Sequence, residues 1–233
     1  VEALKRAAAA RALERVKSGM ALGLGTGSTV RPFLELLAAR MVSGALKGIV
    51  GVPTSEQTAR RCRELGIPLA TLEDRPVLDL AVDGADEVGP GLDLIKGLGG
   101  ALLREKLVAL AARRFLIVAD AGKRVRKLGV RAPLPVEVVP FGWTLLVPFF
   151  RRLGAEPALR RRNDGDPYLT DGGHYIVDCR FPRGIAKPAS LARALALRPG
   201  IVEDGLFLGM AHEAIIAGET GVSVLRRRSY RRR

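Results

Sequence analysis

The stretch Val77-Leu78-Asp79-Leu80-Ala81-Val82-Asp83-Gly84-Ala85-Asp86-Glu87 is an apolar run that ends in a cluster of carboxylates. Its first six residues have the length and branching expected of a strand buried on both faces of a parallel sheet, which puts Asp83 and Asp86 where that strand leaves the sheet. Open α/β sheets bind their ligands at that edge. A few residues on, Lys96-Gly97-Leu98-Gly99-Gly100 leads into Arg104-Glu105-Lys106, so carboxylates, a lysine and a glycine-rich turn all follow one strand.

Reading outward, the periodicities predict a helix to about residue 17, a strand at 21–24, a helix at 28–41, a strand at 49–52 and a helix at 55–65. Strands near 67–72 and 77–82, a helix at about 101–113 and a strand at 115–119 follow. Strand and helix alternating in this way predict an α/β fold with a doubly wound, Rossmann-like parallel sheet. Beyond about residue 132 the texture changes. A strand at 134–139, a helix at 143–153, a pair at 158–162 and 174–180, a helix at 187–197 and a strand from 200 give the order β-α-β-β-α-β, which predicts a smaller inserted α+β domain of ferredoxin-like arrangement. The expected division is a catalytic domain of residues 1–131 with 206–233, and an inserted domain of 132–205. The chain is expected to return through 206–217, with His212 in a helix, to a last strand at 221–225.

With 233 residues and 48% apolar content the chain can bury a substantial core. It holds no apolar run of membrane-spanning length, and its first residues mix Glu2, Lys5, Arg6, Arg11, Glu14 and Arg15 with alanines, as in an amphipathic helix. A cytoplasmic protein with no membrane partner is expected. Two cysteines, Cys62 and Cys179, make neither a CxxC motif nor a disulfide framework. The formal charge is +14, but six of those charges fall in residues 226–233, and the remaining +8 is spread along the chain. Without zinc-finger spacing or an aromatic-rich RNA-binding motif, this predicts a solvated basic tail and no dedicated nucleic-acid partner. The rest of the surplus suits a small anionic substrate.

Gly23-Leu24-Gly25-Thr26-Gly27-Ser28-Thr29 joins the first strand to a helix, where unpaired N–H groups and the helix dipole favour an anion. Ser28 stands at the last glycine position of a dinucleotide fingerprint and no acidic residue closes the second strand, so a single phosphate is expected, held by backbone N–H groups and the hydroxyls of Thr26, Ser28 and Thr29. The alternative is a plain turn with Ser28 as N-cap. Asp83 and Asp86 could likewise be caps, Lys96 a solvated lysine, and Glu105 an exposed partner of Arg104 or Lys106. Convergence of these groups on one sheet edge favours a ligand site. His174 and His212 have no companion at metal-ligand spacing, so no metal is expected.

The joint pattern of Gly25-Thr26-Gly27-Ser28-Thr29, Asp83-Gly84-Ala85-Asp86-Glu87, Lys96-Gly97-Leu98-Gly99-Gly100-Ala101, Arg104-Glu105-Lys106 and Leu134-Pro135-Val136-Glu137-Val138 resembles the type A ribose-5-phosphate isomerases over nearly the whole chain. The resemblance implies interconversion of D-ribose 5-phosphate and D-ribulose 5-phosphate without a cofactor, in a homodimer. It makes Glu105 the catalytic base and gives catalytic roles to Asp83, Asp86 and Lys96. Substrate binding is implied for Thr26, Gly27, Ser28, Thr29, Asp83, Gly84, Ala85, Asp86, Lys96, Gly97, Leu98, Gly99 and Lys123. Leu98 and Gly100 stand where many relatives are expected to carry glycine and alanine, and the tail after Leu225 lies outside the pattern. A sugar-phosphate sensor on the same fold would be expected to carry an output module before the first strand, and too few residues stand there.

Overall fold

The structure, a computed structural model, describes residues 2–227. Along the chain come α1 (Glu2–Leu13), β1 (Ala21–Leu24), α2 (Arg31–Val42), β2 (Val50–Pro53), α3 (Glu56–Glu64), β3 (Leu80–Asp83), β4 (Glu87–Val88), β5 (Leu94–Ile95), α4 (Leu102–Ala111) and β6 (Phe115–Asp120). They are followed by β7 (Leu134–Val138), α5 (Val147–Arg152), β8 (Glu156–Leu159), β9 (Tyr175–Arg180), α6 (Pro188–Ala196), β10 (Ile201–Asp204), β11 (Leu206–Phe207), β12 (Glu213–Gly218) and β13 (Gly221–Arg226). The chain folds as two compact units. One comprises the residues up to Ala85, Arg104–Arg124 and those from Gly209 on; the other comprises Asp86–Leu103 and Val125–Leu208.

The first unit is built on a six-stranded sheet in the order β13-β12-β6-β3-β1-β2. All neighbours are parallel except the edge hairpin β12–β13. Leu22 and Leu24 of β1, Leu80 and Val82 of β3 and Leu116 and Val118 of β6 alternate onto one face, where they pack with Ala8, Ala9 and Ala12 of α1 and with Phe33, Leu34 and Leu37 of α2. Gly23, between the two leucines, faces Val108 of α4. Period-two alternation with apolar residues on both faces is what sandwiching between helices requires. Read from β2, the parallel strands run second, first, third, fourth, fifth in chain order, so the connections diverge between β1 and β3, and the crevice at their carboxyl ends is the place where such sheets bind ligands.

The second unit carries an antiparallel sheet in the order β10-β7-β9-β8, with α5 and α6 placed in sequence as a ferredoxin-like β-α-β-β-α-β motif requires. Val136, Val138, Phe150, Val177, Leu191 and Leu195 form its core. A three-stranded sheet, β11-β5-β4, completes it. The expected α/β class with a smaller α+β part is what the chain adopts. The boundaries read from sequence, at 131/132 and 205/206, fall inside this second unit.

Several expectations need correction. No strand forms at 67–72: Pro68 has no N–H to give, Leu69 makes a single parallel bridge to Gly51, and Thr71 and Asp74 close a turn through mutual side-chain bonds. The strand expected at 77–82 starts later, at Leu80, and includes Asp83. The helix expected from residue 28 starts at Arg31, because Gly27 has φ of +109° and Pro32 suits the first turn. Ser28 does not cap that helix; its hydroxyl accepts from Lys5 Nζ at 2.9 Å. His212 is not helical: its backbone and Nδ1 bond the backbone of Phe115 just ahead of β12. The arginine stretch after Leu225 begins inside the fold, since Arg226 ends β13 and its guanidinium meets Glu213 at 3.4 Å. Glu213 is buried and also pairs with Arg15 at 2.7 Å and Arg114 at 3.4 Å. Burial alone would raise its carboxyl, but hydrogen bonds and charge from Arg15, then Arg226, hold it below the usual range. The tail from residue 228 lies outside the described residues. Among the described residues no helix is long and apolar enough to cross a membrane.

Candidate active site

In the first unit, the loop after β1 and the end of β3 meet at Asp83. Only 2% exposed, Asp83 accepts the amide N–H of Gly84 at 2.7 Å and of Thr26 at 3.2 Å through Oδ1. A Cβ on Gly25 would lie 2.2 Å from that oxygen, so no side chain fits there. Thr29 lies against Gly84, its Oγ1 3.8 Å from where a Cβ on that glycine would stand. The Thr26 hydroxyl turns away from this carboxylate into a cluster with Thr54 Oγ1 at 2.7 Å, Ser55 Oγ at 2.8 Å and Thr58 Oγ1 at 3.1 Å. Thr58 in turn donates to Gly25 O at 2.9 Å. These hydroxyls tie the loop to the start of α3, leaving Ser28 exposed and Thr29 half-buried.

Glu105 lies in the first turn of α4 and is 4% exposed. Its neighbour Arg104 reaches Glu56 at 2.9 Å. The reading of Glu105 as an exposed charge does not survive. Lys123 ends a 3-10 turn directly after β6; that turn is capped by Asp120, whose Oδ1 accepts from Gly122 N at 2.9 Å.

In the second unit, Lys96 follows β5 and is 2% exposed; its backbone N–H bonds Gly205 O at 3.0 Å, and its ammonium lies 5.5 Å from the centre of the Phe207 ring. A lysine buried in this way is not a solvated surface charge. Asp86 accepts the Leu98 amide at 2.9 Å, which joins the end of the first motif to the glycine loop. Gly100, with φ of +82°, sits under the Tyr168 hydroxyl, 2.1 Å from where a Cβ would stand, so the glycine at this position suits both the backbone and its neighbour.

The third carboxylate of the motif has a structural task. Glu87 is fully buried and accepts three backbone N–H groups, from Gly129 at 2.6 Å, Arg131 at 2.7 Å and Ala132 at 2.8 Å. Glu87→Gln would turn an amide donor toward those donors. It is expected to lower unfolding stability by about 2–4 kcal/mol, judged from the ordinary worth of hydrogen bonds to charged groups, read as a shift of the urea midpoint at unchanged slope.

The cysteines are buried thiols. Burial pushes Cys62 up to about 11 and raises Cys179 as well, so neither offers a thiolate near neutral pH.

Sequence reasoning missed Arg160, Tyr168 and Asp178, which bear on the Lys96–Gly100 loop, and the hydroxyls of Thr54, Ser55 and Thr58. Ser55 was legible as a helix start, and it does accept from Thr58 N at 3.0 Å as the N-cap of α3. The others carry no local signal.

The model of the family described as ribose 5-phosphate isomerase A (phosphoriboisomerase A) matches residues 50–221. The chain belongs to that family. A ribose-5-phosphate isomerase A from Roseiflexus castenholzii is 58% identical over 218 residues, covering 94% of this chain and 93% of the relative. One from Gloeobacter violaceus is 54% identical over 97% of this chain and 96% of its own length. Among solved structures of ribose-5-phosphate isomerases, that from Plasmodium falciparum superposes with a TM-score of 0.95 at 37% identity, over 99% of this chain and 100% of its own. Another, a D-ribose-5-phosphate isomerase in complex with phospho-erythronic acid, gives 0.95 at 39% identity over 97% and 99%. Membership in the ribose 5-phosphate isomerase A family covers both units of the fold.

Proposed function

We propose that the chain interconverts D-ribose 5-phosphate and D-ribulose 5-phosphate by proton transfer through an enediolate, with Glu105 as the base. The observation that carries this reading is Glu105 itself, a carboxylate buried to 4% exposure at a helix N-terminus within an isomerase-family motif. Asp83 or Asp86 assists opening of the sugar ring by moving a proton between the ring oxygen and the anomeric hydroxyl. Glu105 then takes the proton from C2; the C–H electron pair forms the C1–C2 double bond and the carbonyl electrons move onto O1. Lys96 and loop N–H groups stabilise the charge that develops on oxygen. Transfer of the O2 proton to O1 and return of the carboxyl proton to C1 leave the ketone at C2. Ser28, Thr29 and the loop amides hold the phosphate at the dipole end of α2, and Lys123 contacts it. The phospho-erythronic acid carried by one relative supports this assignment, since its carboxylate bears charge on two oxygens as an enediolate does.

Purified protein given ribose 5-phosphate is expected to form the ketopentose phosphate and to reach the same equilibrium from either side. Binding without conversion would make the chain a sensor and overturn the reading. The route moves protons alone, so exhaustive chelation is expected to leave the rate unchanged; a rate lost on chelation and restored by a divalent ion would indicate different chemistry.

A further inference from the structure

We propose that Arg160, which belongs to none of the sequence motifs, is a positioning residue that aims the amide N–H groups of the Lys96–Gly100 loop. Arg160 follows β8, and its backbone N–H bonds Ile176 O at 2.8 Å. Its guanidinium forks onto Asp178 of β9, Nε to Oδ2 at 2.9 Å and Nη2 to Oδ1 at 2.5 Å, and the pair is largely buried, with side-chain exposures of 13% and 22%. Such a bidentate pair fixes the guanidinium plane. The remaining nitrogen, Nη1, donates to two successive carbonyls of the loop, Gly97 O at 2.9 Å and Leu98 O at 3.0 Å.

A trans peptide is planar and its C=O and N–H point in opposite directions. Holding the carbonyls of Gly97 and Leu98 on Arg160 therefore turns the N–H groups of Leu98 and Gly99 the other way. The first of these meets Asp86 Oδ2 at 2.9 Å, as this geometry requires. The second is aimed to the same side from an exposed residue. Oxyanion stabilisation depends on donors being aimed before charge develops. Tyr168 supports the arrangement, with its ring 5.9 Å from the guanidinium and its hydroxyl over Gly100. The segment that carries Tyr168 is anchored beyond it, where buried Glu137 accepts from Thr170 Oγ1 at 2.8 Å and meets His174 Nδ1 at 3.0 Å. Because Asp178 neutralises Arg160, the arginine acts through geometry more than through net charge.

The inference rests on the isomerase reading, and one experiment separates the two. Wild-type protein, Arg160→Ala and Arg160→Lys are compared for kcat and KM with ribose 5-phosphate, with and without millimolar ethylguanidinium. Arg160→Ala is expected to lower kcat by about 10- to 100-fold, the scale of an ångström-level misplacement, with KM within about threefold, and ethylguanidinium is expected to restore part of kcat in this variant alone. Arg160→Lys, whose single ammonium cannot fork onto Asp178 while holding both carbonyls, is expected to fall between. A folded Arg160→Ala protein with wild-type kcat, or one whose lost kcat the guanidinium does not restore, overturns the inference while leaving the isomerase reading intact. If Arg160→Ala does not fold, Arg160→Lys carries the test, and an unchanged kcat there overturns the inference. Absence of turnover in the wild-type protein defeats the reading of function, and the inference with it.

Discussion

Glu105→Gln is expected to reduce kcat by about 10²- to 10⁴-fold, the range that a general base typically contributes. Glutamine keeps the shape and hydrogen-bonding reach of the side chain, and the position is buried in the first turn of α4, so the fold and the affinity for a phosphorylated sugar should change little. The checks are steady-state formation of the ketopentose and calorimetric binding of a phosphorylated sugar acid that cannot turn over. Wild-type turnover in this variant would remove Glu105 from the chemistry.

Lys96→Ala should be the next most damaging change, lowering kcat by about 10²- to 10³-fold, the range for loss of one oxyanion donor. Lys96 is buried, its backbone N–H bonded to Gly205 O and its ammonium beside the Phe207 ring, so the side chain is placed before substrate arrives. Thr29→Ala, by contrast, should act mainly on KM, because a phosphate contact is made equally in ground and transition states. The opposite pattern, with Lys96→Ala weakening affinity and Thr29→Ala slowing the chemical step, would exchange the two assignments.

The groups to which these roles are assigned stood out in the sequence because they lie in short, contiguous motifs at strand ends. β1, β2, β6 and β7 could be read because buried parallel or central strands are apolar runs bounded by turn residues. β4, β5 and β11, two residues each, are too short for any periodicity to register. His212 read as helical because the residues that follow it, Glu213 to Gly218 of β12, are apolar without alternation, the pattern of a strand buried on both faces, which periodicity does not tell apart from a buried helix. Glu87 closes the carboxylate motif without a role legible in the sequence, and only the tertiary placement of residues 129–132 shows its structural task. Arg160 was illegible for the same reason: in a chain with many arginines nothing local marks the one whose carbonyl partners, Gly97 and Leu98, lie some sixty residues away.

The central claim, proton transfer by a carboxylate through an enediolate, is tested most directly by running the isomerisation in deuterium oxide and locating the label by NMR. Deuterium is predicted at C1 of the ribulose 5-phosphate formed, because the proton removed from C2 resides on a carboxyl group that exchanges with solvent. Product formed at full rate with no solvent deuterium, and with the C2 hydrogen of a specifically labelled substrate delivered wholly to C1, would mean a direct hydride shift and would contradict the account.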